Sequence, residues 1–170
     1  QIKNVHGKED TIITVQVDMF LAENFDMTYV DENGEKRRPY IIHRTSIGCF
    51  ERTIALLIEK YAGAFPMWIA PTQVKILSVT ERNEEYAKSL SDALSRRGIR
   101  CEVDSRNETI GYKIRSAQLE KVPYMLVVGD KEAQEGKVSV RRRGEGVIGE
   151  MTLGEFAQRA VEEIETRSLL

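Results

Sequence analysis

Cysteine and histidine are both scarce in this chain, which contains two of each in 170 residues. Cys49 and Cys101 form no CxxC pair, and two thiols cannot build the framework of a disulfide-stapled secreted domain. Free cysteine is among the most frequently buried residue types, so both thiols are expected to be buried and inert. The low cysteine content favours a reducing compartment, and the sequence therefore predicts a cytoplasmic protein.

Long apolar runs and targeting segments are also missing. No stretch approaches the roughly 20 apolar residues that span a bilayer, so no membrane partner is expected. Residues 1–7 contain neither the apolar core of a signal peptide nor an initiator methionine, and we expect the chain to be part of a longer protein. The P-loop, GxGxxG, HExxH and GxSxG signatures do not occur, which argues against the common nucleotide-binding, protease and hydrolase classes.

The composition that is present is ordinary for a globular protein, with 41% hydrophobic and 31% charged residues, but its charge is uneven. Residues 96–143 hold twelve Lys and Arg against seven Asp and Glu, although the whole chain has a net charge of −2. A basic segment in an acidic chain is typical of a phosphate-facing surface. A solvated surface of mixed charge explains the same residues equally well, so charge leaves both interpretations open.

Hydrophobic periodicity predicts strands, a hairpin and a helix in the first third of the chain. Residues 11–18 alternate as a half-buried strand does. Residues 27–30 and 39–43 flank an Asn-Gly pair, which predicts that these two runs form a hairpin. The apolar spacing within 49–62 predicts a helix packed on a sheet.

Beyond this region the pattern changes to alternating strands and helices. Two prolines and the single tryptophan within 64–71 predict a short, anchored connector. The glycine-containing segments 129–132, 135–136 and 144–146 are predicted as turns. About five strands and three helices are expected, and the elements located by pattern are strands at 74–80, 99–103, 124–128 and 137–142, and helices at 83–97, at 109–121 and from a capping box at 152–155 onward.

Polar residues in the predicted strands and helix form a first candidate site: Thr14, Gln16, His43, Gly48 and Arg52. Arg52 lies in the first turn of its helix, where the helix dipole opposes a cation, so an anion such as phosphate would explain it. An ion pair with a neighbouring carboxylate is the alternative. A lone strand histidine such as His43 is more often a hydrogen-bonded structural residue than a metal ligand.

A second candidate site lies in the basic segment: Asn107, Arg115, Glu132 and Arg141. Arginine combined with a carboxylate suits guanine and splayed single-stranded bases. Asn107 and Thr109 could instead cap a helix, and the charged residues could form a surface ion-pair cluster. The sequence pattern does not decide between these alternatives.

The stretch from Arg38 to Arg52 resembles the third signature motif of class II aminoacyl-tRNA synthetases, in its threonyl-tRNA synthetase form. The matching residues are Arg38-Pro39-Tyr40-Ile41-Ile42-His43-Arg44 and Gly48-Cys49-Phe50-Glu51-Arg52. Further matches follow in order at 65–71, 106–108, 113–115, 123–124 and 129–132. One glycine-to-arginine motif would be weak, but the linked set is highly specific.

The resemblance implies an α/β (α+β) fold in two domains. Residues 1–63 would be part of the antiparallel class II catalytic sheet with its motif-3 helix, 64–71 a connector, and 72–170 a mixed five-stranded anticodon-binding domain. It further implies the C-terminal part of an ATP-dependent threonine–tRNA ligase that is a homodimer when intact. These residues alone would mainly recognise a tRNA anticodon, without catalysis.

Two other functions stay open. The first is a stand-alone accessory subunit of the anticodon-binding type. The second is a zinc-dependent hydrolase built on His43, which is poorly supported because His6 is the only other histidine.

The resemblance also implies roles for individual residues. Thr14, Gln16 and Arg52 would line the catalytic pocket, and Gly48 and Cys49 would join Arg52 at ATP, which acts with Mg²⁺. His43 would be one of three ligands of a Zn²⁺ ion that grips the amino and hydroxyl groups of threonine. The anticodon bases of threonine tRNA would meet Asn107, Arg115, Glu132 and Arg141, with the last two suited to the middle G.

Two departures from the family pattern bear on these roles. Thr11 stands where a glutamine near ATP is common, so that role is not carried over. Cys49 stands where serine is frequent. The first two class II motifs and the other two zinc ligands are not among these residues.

Overall fold

The computed structural model describes residues 1–169, which form two compact units. The first is Gln1–Ala62, and the second begins at Gly63. The segment predicted as a connector, 64–71, thus belongs to the second unit, while the functional division of the chain stays a prediction. Within the described residues, no helix is both long and apolar enough to cross a membrane.

The first unit contains short antiparallel strand pairs and two helices. In chain order its elements are β1 (Ile2–Lys3), β2 (Glu9–Asp10), β3 (Thr14–Asp18), α1 (Phe20–Asn24), β4 (Tyr29–Val30), β5 (Lys36–Arg37), β6 (Ile41–Thr45) and α2 (Phe50–Tyr61). β3 pairs with β6, β4 with β5, and β1 with β2.

The predicted hairpin between 27–30 and 39–43 is wrong in its second strand. β4 pairs with β5, and β6 pairs with β3. The Asp31 carboxylate accepts hydrogen bonds from the backbone N–H groups of Asn33 and Glu35, at 2.9 and 3.0 Å. These bonds close the turn immediately before β5, which therefore becomes the partner of β4.

The apolar faces of the first unit are uncovered. Phe50 and Ile54 lie on the apolar stripe predicted to pack inward from α2, yet they are 76% and 53% exposed. Val15, Val17 and Ile42, on the apolar face of the β3–β6 pair, are exposed as well. The predicted inward packing of α2 is thus wrong within Gln1–Ala62, because this unit contains no further sheet to cover the stripe.

The second unit is a five-stranded sheet with helices on both faces, which confirms the predicted mixed α/β domain. Its elements are β7 (Val74–Ser78), a 3₁₀ turn (Glu81–Asn83), α3 (Glu84–Ser95), β8 (Cys101–Asp104), α4 (Ile110–Leu119), β9 (Tyr124–Val128), α5 (Asp130–Glu135), β10 (Lys137–Arg142), β11 (Gly146–Thr152) and α6 (Leu153–Glu165). The strand order is β11-β10-β9-β7-β8, in which β7 is parallel to β8 and β9, and β10 is antiparallel to β9 and β11.

The sequence pattern missed α5, which it predicted as a turn. The Glu132 carboxylate accepts a 2.9 Å hydrogen bond from the Gly129 N–H, which caps the start of this helix. Gly136 ends it in the left-handed region at φ 65°. A helix of six residues is too short to show a 3.6-residue period, so periodicity could not reveal it.

The sheet of the second unit separates two apolar layers. Leu77, Met125 and Ala117 form the smaller layer beneath α4. The larger layer lies on the opposite face, where α3 and α6 pack on β7, β9 and β10 through Leu90, Leu94, Ile76, Tyr124, Leu126, Val128, Val138 and Phe156.

Two arginines hold the predicted connector against the rest of the second unit. The Arg100 guanidinium donates to the Ala70 carbonyl at 2.8 and 3.0 Å. The Arg143 guanidinium donates to the carbonyls of Ala64 and Phe65, at 3.0 and 2.9 Å. The segment is therefore anchored rather than free, as its prolines and tryptophan predict.

Candidate functional site

The antiparallel pair β3–β6 brings the polar strand residues of the first unit onto one face. Gln16 lies directly opposite His43, and Thr14 opposite Thr45. The two threonine hydroxyl oxygens are 3.0 Å apart, and the Thr14 N–H donates to the Thr45 Oγ1 at 3.1 Å. Since successive strand side chains alternate, this face presents an amide, an imidazole and two hydroxyls side by side.

His43 has a carboxylate neighbour on the same face. Its Nε2 lies 3.4 Å from the Asp18 Oδ2. Backbone N–H groups of Leu21 and Phe20, followed by His43, hold the pKa of Asp18 below its ordinary value of 3.8. The Asp18 carboxylate therefore stays ionised next to the imidazole at neutral pH.

These residues do not form a zinc site by themselves. Across residues 1–169, no group of three or more His, Cys, Asp or Glu side chains is arranged to hold a metal ion. A structural or catalytic zinc needs at least three protein ligands. The predicted role of His43 thus requires ligands from outside these residues.

Arg52 projects from the first turn of α2 and donates from its Nη1 to the Thr11 carbonyl at 2.7 Å. No carboxylate within the described residues lies at ion-pair distance from it, so the predicted ion-pair alternative is not realised here. The side chain also lines a cavity of about 80 Å³ together with Ile12 and Leu56. Its positive charge is therefore available to an anion.

Gly48 and Cys49 form the turn that leads into α2. Gly48 has φ +76°, and a Cβ placed on it would lie 2.8 Å from the Ile12 carbonyl oxygen. Only glycine allows both this backbone conformation and this close approach. Cys49 is the N-cap residue of α2 and is exposed, so the expectation of a buried thiol is wrong there. The Cys101 thiol is partly buried, and burial raises its pKa to about 12.

In the second unit, Asn107 and Arg115 are exposed at α4 and the loop before it. Of the two residues predicted to cap a helix, Thr109 caps α4 and Asn107 does not: the Thr109 Oγ1 accepts from the Tyr112 N–H at 3.4 Å. Within residues 1–169, the Asn107 amide has no hydrogen-bond partner and the Arg115 guanidinium has no carboxylate at ion-pair distance. Both side chains are free to meet a ligand.

Arg141 lies in β10 opposite Met125, whereas Glu132 lies in α5, beyond the far end of β9. The Arg141 Nε is buried and has no hydrogen-bond partner among the described residues. The side chain lines a cavity of about 400 Å³, together with Gln118 and Gly144. No hydrogen bond or ion pair within residues 1–169 joins any two of the four predicted base-contacting residues.

Sequence reasoning assigned no role to Asp104, which is only 4% exposed at the end of β8. Arg106 donates from Nε and Nη2 to its two carboxylate oxygens, at 2.9 and 2.6 Å. The side-chain hydrogen bond from Arg106 is the main reason that the pKa of Asp104 lies below 3.8. The only signal in the sequence is an arginine two residues after a strand-ending aspartate.

Comparison with known protein families identifies the class of protein to which this chain belongs. The model of the "tRNA synthetase class II core domain (G, H, P, S and T)" matches residues 2–61, and the model of the "Anticodon binding domain" matches 73–163. The chain therefore belongs to the class II aminoacyl-tRNA synthetases, with a segment of the core domain followed by an anticodon-binding domain.

Within that class the chain is similar to threonine–tRNA ligases, which confirms the predicted resemblance. It is 60% identical over 167 residues to the "Threonine--tRNA ligase" of Clostridium perfringens (strain SM101 / Type A) and 58% identical to that of Clostridium botulinum (strain Eklund 17B / Type B). Each alignment covers 98% of this chain and 26% of the relative, so the chain spans about a quarter of the relatives' length.

A solved structure supports the same grouping and the predicted fold. The RNA binding domain of threonyl-tRNA synthetase from Cryptosporidium parvum Iowa II superimposes with a TM-score of 0.76 at 35% identity. The match covers 94% of this chain and 41% of that one.

Proposed function

We propose that residues from about 72 onward bind the anticodon loop of a threonine tRNA, and that Asn107, Arg115, Glu132 and Arg141 contact its bases. The match of 73–163 to the anticodon-binding domain family supports this proposal. The local excess of basic residues supports it too, because phosphate contacts supply much of the affinity for RNA.

The strongest support for this proposal comes from the surroundings of the Arg141 side chain. Its buried Nε lacks an acceptor within residues 1–169 and borders a cavity of about 400 Å³. An unsatisfied buried donor costs about 1–3 kcal/mol, which a base acceptor entering the cavity would recover. Guanine presents two acceptors, N7 and O6, that match a guanidinium.

Glu132 complements Arg141 chemically. Its Oε2 accepts from the Gly129 N–H, which orients the carboxylate and leaves its Oε1 without a hydrogen-bond partner among the described residues. A carboxylate accepts from the donors of guanine, whereas a guanidinium donates to its acceptors. The two side chains are therefore suited to different edges of the middle G.

The test is the binding of this chain to a fluorescently labelled threonine-tRNA anticodon stem-loop, measured by anisotropy at fixed salt. Arg141→Ala should weaken binding by about 1–3 kcal/mol, which is roughly five- to 150-fold. The matched control is Arg96→Ala, because Arg96 is exposed at the end of α3, on the face of the sheet opposite α4.

Both variants remove one positive charge, so any shared loss reports non-specific attraction and the difference reports base recognition. Equal affinities for the two variants would show that Arg141 does not contact a base. A change of the middle G to A should weaken binding to the wild type more than binding to Arg141→Ala, in which only the contact of Glu132 with that base remains to be lost.

We further propose that the first unit supplies one wall of the active site of a cytoplasmic, homodimeric threonine–tRNA ligase that uses threonine, ATP with Mg²⁺, and tRNA. Arg52 would counter phosphate charge or pack on adenine, with Gly48 and Cys49 at its side. Thr14 and Gln16 would line the pocket for threonine and its adenylate. The available charge of Arg52 supports this role.

The zinc role of His43 is part of the same proposal. It would provide one imidazole ligand, oriented by Asp18, and the remaining ligands would come from outside residues 1–169. A zinc ion held there would discriminate threonine from valine, since a polar site rejects an analogue that lacks the matching hydroxyl.

ATP–pyrophosphate exchange tests the role of the first unit. Residues 1–170 alone should show no threonine-dependent exchange, because they carry only one wall of the pocket. In a complete ligase that contains these residues, Arg52→Ala should lower the exchange rate by about a hundredfold or more. An unchanged rate would remove Arg52 from the ATP site without affecting the anticodon proposal.

A further inference from the structure

The ring of Tyr112 lies on the solvent side of α4, where about half of the residue is accessible. Tyr112 is 51% exposed, and the guanidinium carbon of Arg106 lies 5.6 Å from its ring centroid. We propose that Tyr112 and Arg106 form a stacking surface for an unpaired nucleobase of the bound RNA. This proposal rests on the proposed function and adds a subsite to it.

A buried carboxylate fixes the position of the guanidinium. Arg106 donates two hydrogen bonds to Asp104, at 2.9 and 2.6 Å, and Asp104 is buried at the end of β8. A paired contact of this kind sets the plane of the guanidinium as well as its position. Asp104 is thus a positioning residue, and Arg106 is held in place before any RNA binds.

The chemistry of the pair suits a base rather than a small polar ligand. Single-stranded bases stack on tyrosine rings and on arginine guanidinium planes, whatever their sequence. An arginine near the ring adds a cation–π attraction and a positive charge for the adjoining phosphate. The surface therefore adds affinity for a splayed loop and little for a continuous duplex.

Gly111, immediately before Tyr112, points to a close approach at the same surface. A Cβ placed on Gly111 would meet no atom within 4 Å, and its φ lies outside the left-handed region. The fold therefore has no steric need for glycine there, although glycine weakens a helix relative to alanine. The open space is suited to a nucleotide backbone lying against the helix.

The free polar groups of the second candidate site lie next to this surface. Arg115 follows Tyr112 by three residues, so both project from the same side of α4. Asn107 is exposed in the loop that also contains Arg106. A base stacked on Tyr112 would thus have a free guanidinium and a free amide within the same surface.

The experiment uses chain 1–170 and a threonine-tRNA anticodon stem-loop with 2-aminopurine at single loop positions. Tyr112→Ala should weaken binding about tenfold at fixed salt, with an unchanged salt dependence because no charge is removed. Tyr112→Phe keeps the ring and should bind within about twofold of the wild type. The matched control is Tyr40→Ala, an exposed tyrosine of the first unit.

The 2-aminopurine fluorescence separates stacking from a general loss of affinity. At one loop position, wild type and Tyr112→Phe should quench the fluorescence at saturation, and Tyr112→Ala should not. Asp104→Asn should reduce that quenching while the protein remains folded by circular dichroism. Gly111→Ala should weaken binding without lowering the melting temperature.

Two results overturn the proposal and have different meanings. If the wild type binds the stem-loop more tightly than a duplex of the same stem, and Tyr112→Ala behaves identically, the stacking surface is wrong but the proposed function stands. If the wild type does not prefer the stem-loop over the duplex, both the proposed function and the stacking surface are wrong.

Discussion

The ammonium group of Lys113 donates a 2.8 Å hydrogen bond to the backbone carbonyl of Ser78, in the interior of the second unit. The same nitrogen lies 3.2 Å from the Asp104 carbonyl oxygen, and Lys113 is only 3% exposed. These two carbonyls belong to the last residues of β7 and β8. The side chain therefore ties α4 to the ends of two parallel strands, next to the proposed RNA-binding loop.

Removing the Lys113 ammonium should destabilise the second unit. Lys113→Met keeps the apolar stem but removes the ammonium donor of the buried Ser78 carbonyl, and it leaves the Asp104 carbonyl with only the Ser78 hydroxyl as a side-chain donor. We expect a cost of about 1–3 kcal/mol in the free energy of unfolding. Urea unfolding followed by fluorescence checks this, because the single tryptophan, Trp68, lies in the second unit. Lys88→Met, at an exposed site of α3, should change the stability by less than about 0.5 kcal/mol. Equal effects of the two variants would contradict this account.

The Asp104 carboxylate should make the stability of the second unit depend on pH, with a loss of stability at acidic pH. Its pKa in the folded chain lies below 3.8, chiefly because of the side-chain hydrogen bond from Arg106. Its contribution is therefore fully present above the unfolded pKa and is lost as pH falls through the folded pKa. The wild type should exceed Asp104→Asn in its free energy of unfolding, and this difference should be greatest at neutral pH and smaller at about pH 3.

Urea titrations of both proteins at the two pH values measure this difference in the free energy of unfolding. Asp92→Asn is the control, since Asp92 is exposed and forms no ion pair within the described chain. If the difference in the free energy of unfolding between wild type and Asp104→Asn stays constant on acidification, Asp104 contributes nothing through its charge.

The two cysteines should differ in their reaction with iodoacetamide. The thiolate is the reactive form, and burial raises the pKa of Cys101 to about 12. Cys49 is exposed at the start of α2. At about pH 8, the native chain should acquire one adduct, at Cys49, and the unfolded chain two. Intact mass and peptide mapping give the count and the position; alkylation of Cys101 in the native chain would refute the assignment.

Gly48→Ala should disturb the first unit more than Gly34→Ala does. Both glycines lie in the left-handed region, at φ +76° and +80°, where another residue costs roughly 1–2 kcal/mol. Only at Gly48 would the added Cβ also clash, 2.8 Å from the Ile12 carbonyl oxygen. Hydrogen exchange of the amides in β3 and β6 should therefore speed up more in Gly48→Ala, whereas equal acceleration would mean that the clash is relieved without cost.

Local sequence signals predicted the strands and helices of the second unit well. They predicted the pairing of strands within the first unit less well. The capping box of Thr152 and Glu155 is present as predicted at the start of α6. The Asn-Gly signal correctly placed a turn after β4 but not the strand that follows it. Hydrogen bonds of the Asp31 carboxylate determine that strand, and no periodicity encodes them.

The candidate sites show the same division. Alternation along the strands correctly placed Thr14 and Gln16 on one face, and the register of β3 with β6 then set Gln16 opposite His43. Neither alternation nor charge could reveal that Arg141 borders a cavity with an unpaired Nε, or that Arg106 is held by a buried aspartate. These facts depend on which segments pack together.

The sequence by itself determined the family, the mixed α/β class of the second unit and most of its strands and helices, because periodicity and capping act over a few residues. Only the tertiary structure decided which polar groups lack a partner within residues 1–169, such as Asn107 and Arg115, and which are held, such as Asp104 and Lys113. The physical reason is that burial and hydrogen-bond partners arise between segments far apart in the chain. Lys113 is an example: its ammonium group donates to the carbonyl of Ser78, 35 positions away in the sequence, and to that of Asp104, nine positions away.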